Sequence, residues 1–175
     1  MRTDEELARG IQQGRRHDLS VLVERHHYAL IGFLYRMTGG DRRLAEDLAQ
    51  EALIRVMRAI STYEYPRPFK VWLYAIAANL ARDHFKSADT RRTSAIIDDI
   101  PTLDCPEDAA LDAEEARRVA LALLKLPEPQ RETVILRYYG DLSLAEIAEA
   151  LDIPLGTVKS RISIGLSRLK SLLED

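Results

Sequence analysis

Apolar residues recur at spacings of three and four along most of the chain, and no stretch shows the two-residue alternation of a half-buried strand. Leu19, Leu22, Val23, His26, Leu30, Phe33, Leu34 and Met37 fall on one stripe. They predict a long helix that opens after Asp18 and stops at Gly39-Gly40. Ahead of it, Thr3 with Glu6 forms a capping box for a short helix ending near Gly14. Asp41 can cap a helix over about 42–60, whose buried side is Ala45, Leu48, Ala52, Val56 and Ile60. A Pro-rich loop over 61–68 leads into a helix over 69–86 with core face Phe69, Leu73, Ile76, Ala77 and Leu80.

The second half repeats the pattern. A helix over 113–126 carries Ala116, Val119, Ala120, Leu123 and Leu124, and Pro127 and Pro129 break it. A short helix over 130–139 follows. Ser143 with Glu146 is a second capping box, opening a helix that ends near Leu151. Asp152-Ile153-Pro154 reads as a tight turn, and a final helix runs over about 155–173. The predicted fold class is all-α: two small helical domains, 1–93 and 116–175, joined by a flexible acidic linker, 94–115.

Charge supports that division. Taken as a total, the net charge of −3 argues against nucleic acid. However, residues 1–93 hold 16 Lys/Arg against 12 Asp/Glu, residues 94–115 hold none against 8, and residues 116–175 hold 9 against 8. The acidity is concentrated in the linker, between two mildly basic units. The linker's single cysteine, Cys105, reads as a passive thiol. No apolar run is long enough to span a bilayer, and the N-terminus lacks the pattern of a secretory signal, so a cytoplasmic location is expected. The four histidines are dispersed and no Gly-rich phosphate loop is present, so no catalytic residue, metal or cofactor is expected.

The strongest local motif spans 144–163. Ala148 is the small residue needed where two helices cross, and Ile147, Leu151, Ile153 and Val158 pack the turn between them. Asp152 stands at the left-handed turn position where glycine is commonest. Opposite the apolar face of the last helix lie Thr157, Ser160, Ile164 and Ser167, flanked by Lys159 and Arg161. Small hydroxyls with basic flanks suit a helix laid in a DNA major groove. Arg137 could hold a phosphate or reach a base. A second set lies in and after the Pro-rich loop: Tyr63, Tyr65, Arg67, Phe69, Lys70 and Trp72, then Asn79, Arg82 and Lys86 along one helix flank beside small Val71 and Ala75. Aromatics interleaved with cations can stack unpaired bases and hold their phosphates. Core packing is the better reading for Trp72 alone, and exposure for Tyr63 and Tyr65.

These residues carry a family resemblance. Asp-Leu-Ala-Gln-Glu-Ala (47–52) and Pro-Phe-Lys-Val-Trp-Leu-Tyr-Ala-Ile-Ala-Ala-Asn-Leu-Ala-Arg-Asp-His (68–84) resemble domain 2 of a bacterial RNA polymerase sigma factor. Leu-Pro-Glu-Pro-Gln-Arg (126–131) and Gly-Thr-Val-Lys-Ser-Arg (156–161) resemble domain 4, and the pairing is that of the extracytoplasmic-function (ECF) group. The resemblance implies core RNA polymerase and promoter DNA as partners, with an anti-sigma factor in control. Asp47, Gln50, Glu51 and Arg55 would dock on the β′ clamp helices, although alone they would read as ordinary surface salt bridging. Tyr63, Tyr65, Arg67, Phe69, Lys70, Trp72, Asn79, Arg82 and Lys86 would bind the −10 element. Arg137, Thr157, Lys159, Ser160, Arg161, Ser163 and Ile164 would bind the −35 element, with domain 4 seated on the β-flap. Ser163-Ile164-Gly165 stands where many relatives carry a basic residue, so Ile164 could meet a thymine methyl. Competing readings are a DNA-binding regulator that never joins polymerase, and an adaptor that has lost DNA binding.

Overall fold

The computed structural model describes residues 1–91 and 107–175. Their order is α1 (Asp4–Gln12), α2 (Arg16–Met37), α3 (Arg42–Ala59), a 3-10 turn (Ile60–Thr62), α4 (Phe69–Arg91), α5 (Glu107–Leu124), α6 (Glu128–Tyr138), α7 (Leu144–Leu151) and α8 (Leu155–Glu174). Cys105 and the segment 92–106 lie outside the described residues.

Local chemistry sets most boundaries. Thr3 and Glu6 close a reciprocal capping box, as do Ser143 and Glu146, each satisfying backbone donors that a helix start leaves unpaired. The Asp41 carboxylate accepts from the Leu44 amide at 3.0 Å. Four expectations need correction. Asp18 does not precede α2; it lies inside the first turn, buried, and bridges Arg2 at 2.7 Å and Arg15 at 3.0 Å. α4 runs past residue 86 to Arg91. α5 begins at Glu107, within the stretch assigned to the linker, because its Ala-rich sequence has high helix propensity and the charge run conceals it. Pro129 does not break a helix; it occupies the first turn of α6, where its missing N–H has no intrahelical partner to lose.

The first unit packs α1, α3 and α4 around α2, with Leu22, Leu30, Phe33, Leu34, Met37, Leu73, Tyr74 and Ala77 at its centre. The Phe33 and Tyr74 rings meet edge-on at 5.0 Å, and burial pushes the Tyr74 phenol up to about 12. In the second unit α6 packs on α8, and Leu123, Val134, Ile135, Leu142, Ile147 and Val158 are buried. The two units also meet: α5 and α6 pack on α2, and α7 packs on α4, so the buried apolar residues of both form one continuous cluster. Gly39, at φ +71°, lies under this seam, where a Cβ would stand 2.6 Å from Cδ2 of Leu124.

Asp4 ties α1 to α2. Its carboxylate lies 2.6 Å from His26 Nε2 and accepts from Arg25 at 2.8 Å. The His26 hydrogen bond, aided by Arg25 and opposed by partial burial, holds the Asp4 carboxyl below its ordinary 3.8. A depressed carboxyl contributes stability that is complete above its unfolded pKa and is lost as pH falls through the lower folded value. We expect Asp4→Asn to lower unfolding free energy at neutral pH by about 1–3 kcal/mol. The difference from the parent should shrink below about pH 4, as read by urea denaturation across pH.

Candidate nucleic-acid interface

The helix-turn-helix is assembled by short-range geometry. Asp152 adopts φ 53°, ψ 52°, the left-handed conformation that reverses the chain. The Ile153 amide donates to the Ala148 carbonyl at 3.0 Å, closing the end of α7. Buried Ile147 and Val158 pack across the turn, so α8 is held by its inner side. On its outer side Lys159, Ser160, Ser163 and Ile164 are exposed and Thr157 and Arg161 half-buried, with Ile164 at 47% exposure. The Arg137 side chain is exposed, but its guanidinium donates to the Leu142 carbonyl at 3.0 Å, which points it at the loop before α7.

The loop and α4 differ from the sequence picture. Tyr63 is buried rather than exposed, and its hydroxyl donates to the Arg67 carbonyl. Burial pushes this phenol up to about 12. Phe69 is buried, as its place on the core face of α4 predicts, and both rings pack with Trp72 at 5.3–5.9 Å, while Val71, expected on an open flank, is fully buried. The cause is α1, whose role the sequence did not reveal. Gln12 donates to the carbonyls of Ile60 and Tyr63 at 2.8 and 2.7 Å, and Glu5 accepts from the Phe69 amide at 3.1 Å, capping α4 from outside. Tyr63 and Phe69 therefore shape the loop from beneath and offer no face to a base in this structure. Tyr65 remains exposed, with the Arg9 guanidinium 4.8 Å from its ring centre.

The cations of this face are engaged. Arg82 donates to Asn79 at 2.9 Å and to Glu132 of α6 at 2.8 Å, and lies 3.3 Å from Glu128. Arg67 pairs with Glu149 of α7 at 2.8 Å, and Lys70 donates to the Asp141 carbonyl at 3.2 Å. Lys86 is exposed. Glu132 is buried, which raises its carboxyl pKa against the opposing hydrogen bond and charge of Arg82. Sequence reasoning missed Glu128, Glu132 and Glu149 as neighbours of this site; nothing in their local spacing marks them.

Asp47, Gln50 and Arg55 project from α3 opposite its buried alanines, and Glu51 accepts from Arg55 at 3.1 Å. Exposed Met57 lies on the same helix and adds an apolar point that the motif did not include. Among the described residues no group of three or more His, Cys, Asp or Glu is arranged to hold a metal ion. No described helix is long and apolar enough to cross a membrane.

These features define a class: an all-helical protein with a DNA-reading helix-turn-helix in one unit and a basic, aromatic-backed helix in the other. Comparisons with known proteins sharpen it. Residues 22–91 match the family described as Sigma-70 region 2, and residues 116–169 match Sigma-70, region 4. The ECF RNA polymerase sigma factor SigW of Bacillus subtilis is 34% identical, covering 94% of this chain and 94% of that protein. The ECF RNA polymerase sigma-E factor of Escherichia coli K12 is 31% identical, covering 91% and 88%. CnrH, solved in complex with the cytosolic domain of CnrY, superposes with a TM-score of 0.76 at 25% identity, covering 98% and 97%. The chain belongs to the sigma-70 family, and within it to the ECF RNA polymerase sigma factors.

The recognition helix depends on a close crossing. A Cβ on Gly165 would stand 2.8 Å from Cγ2 of Val134, a stiff β-branched side chain on α6. We expect Gly165→Ala to cost about 1–3 kcal/mol of unfolding free energy, measured by chemical denaturation.

Proposed function

We propose that this chain is the promoter-specificity subunit of RNA polymerase: it binds the core enzyme, directs it to −35 and −10 elements and assists melting, while polymerase performs the chemistry. The observation that carries the reading is the exposed outer side of α8, where Thr157, Lys159, Ser160, Arg161, Ser163 and Ile164 stand on a helix fixed from behind by Val158. Hydroxyls and cations there address base edges and phosphates, and Ile164 offers an apolar contact for a thymine methyl. Arg137 assists from α6.

In the first unit, Tyr65, Arg67, Lys70, Asn79, Arg82 and Lys86 form the −10 face, over a floor of Tyr63, Phe69 and Trp72. A base flipped from the duplex costs a few kcal/mol, which stacking on Tyr65 and contacts with polymerase offset. The outer side of α3, with Asp47, Gln50, Glu51 and Arg55, docks on the β′ clamp helices, and the second unit sits on the β-flap. The units are assigned as 1–93 and 116–175. The work is cytoplasmic, and an anti-sigma factor controls it; family membership supports that partner.

Run-off transcription with core polymerase on a random promoter library tests the reading; no complex with core polymerase would sink it. We expect Lys159→Ala with Arg161→Ala to weaken −35 recognition by roughly 10- to 1,000-fold while core binding survives. Asp47→Ala with Gln50→Ala should instead weaken core binding, measured by titration of labelled chain against core polymerase. Unaltered affinity in that variant would remove the α3 assignment.

A further inference from the structure

Three of the cations assigned to the −10 face, Arg67, Lys70 and Arg82, have carboxylate partners from the other unit. Arg82 is shared by Glu128 and Glu132 at 3.3 and 2.8 Å, with the Glu132 side chain only 6% exposed. Arg67 is held by Glu149 at 2.8 Å, and Lys70 lies 3.7 Å from the Asp141 carboxylate. Three successive cations along the face thus meet carboxylates from α6, α7 and the loop between them. A guanidinium that donates to a carboxylate cannot give the same hydrogens to a phosphate. Contacts outside these ion pairs set the register of the seam: Leu124 lies against Gly39, the Arg36 guanidinium sits 3.9 Å above the Tyr139 ring, and the Arg131 guanidinium 5.2 Å from that of Phe85.

We propose that the second unit is a self-mask for the first: Glu128, Glu132, Asp141 and Glu149 stand in for the phosphates of the −10 strand and hold the free chain closed. This rests on the −10 assignment above. The mask has a firm centre and a weak rim. Arg82–Glu132 is shielded from solvent, whereas Arg67–Glu149 and Lys70–Asp141 are largely exposed and yield to salt or to a competing polyanion. The closed chain therefore has little affinity for single strands until something pulls the second unit away. Core polymerase and promoter DNA, engaging both units at once, supply that pull.

The test compares three full-length chains. The mask variant carries Glu128→Gln, Glu132→Gln and Glu149→Gln, which keep side-chain shape. A control carries Asp112→Asn, Glu114→Gln and Glu174→Gln, removing the same charge at exposed positions outside the ion pairs named above. Each is measured by small-angle scattering at about 50 mM and about 500 mM salt. Each is also titrated with a labelled single-stranded oligothymidylate of about twelve nucleotides. We expect the mask variant to be expanded at low salt, the parent to expand only at high salt, and the control to match the parent. Oligothymidylate affinity should rise roughly tenfold in the mask variant beyond any gain in the control. Unchanged dimensions overturn the proposal, as does an expanded mask variant that binds the oligonucleotide no better than the control. Loss of helical signal on denaturation curves identifies a misfolded triple variant; Glu149→Gln alone, at an exposed site, must then show the same trends at smaller size, or the proposal falls. Scattering reads closure without reference to transcription. A failed run-off assay with an expanded mask variant would therefore remove the promoter role and leave the closure standing.

Discussion

Arg82 joins the two halves of this protein. Its guanidinium donates to Glu132 and pairs with Glu128 on α6, while Asn79, one turn back on α4, accepts a second hydrogen bond. Burying a carboxylate such as Glu132 without a cation would be costly, and the raised pKa of that carboxyl shows the cost is only partly offset. The pair is therefore a constraint of placement more than a source of stability. It ties α6 to α4 beside the apolar contact of Leu124 with Gly39, one of the contacts that set the register of the seam.

The pair also lies beside a helix with one apolar side buried. Val71, Leu73, Tyr74, Ala77, Ala78, Leu80 and Ala81 make up that side. Arg82, Lys70 in the first turn and Arg67 in the loop before it meet carboxylates of α6, α7 and the loop between them, while Asn79, Asp83 and Lys86 are exposed. A surface rich in donors must be solvated, paired or covered. Under the −10 assignment proposed above, these carboxylates are the anions that nucleic acid would displace.

Legibility followed sequence separation. The helix-turn-helix was readable because Ser143, Ala148, Asp152 and Val158 act within a few residues of one another, and their chemistry dictates cap, crossing, turn and inner face. The capping boxes and the Gly39-Gly40 stop were readable for the same reason. The burial of Tyr63 was hidden because Gln12 acts on it from about fifty residues away in sequence. The seam was hidden more completely: Arg67 and Glu149 are 82 positions apart, and no periodicity links them. The start of α5 was misread because a run of acids resembles a solvated tether whether or not its alanines are helical.

The balance of strengths across the seam bears on how such a subunit can be both restrained and available. If every inter-unit pair were as shielded as Arg82–Glu132, opening would require breaking several buried charges at once, and the −10 face would stay closed. If every pair were as exposed as Lys70–Asp141, salt alone would open the chain and leave the cations to any polyanion. The observed mixture places one protected contact at the centre and exchangeable ones at the edge. A polyanion can therefore replace the rim contacts one at a time before the centre must break. In the proposed opening, stepwise exchange of carboxylate for phosphate keeps each cation paired, and the released rim carboxylates of Glu149 and Asp141 are exposed enough to be solvated.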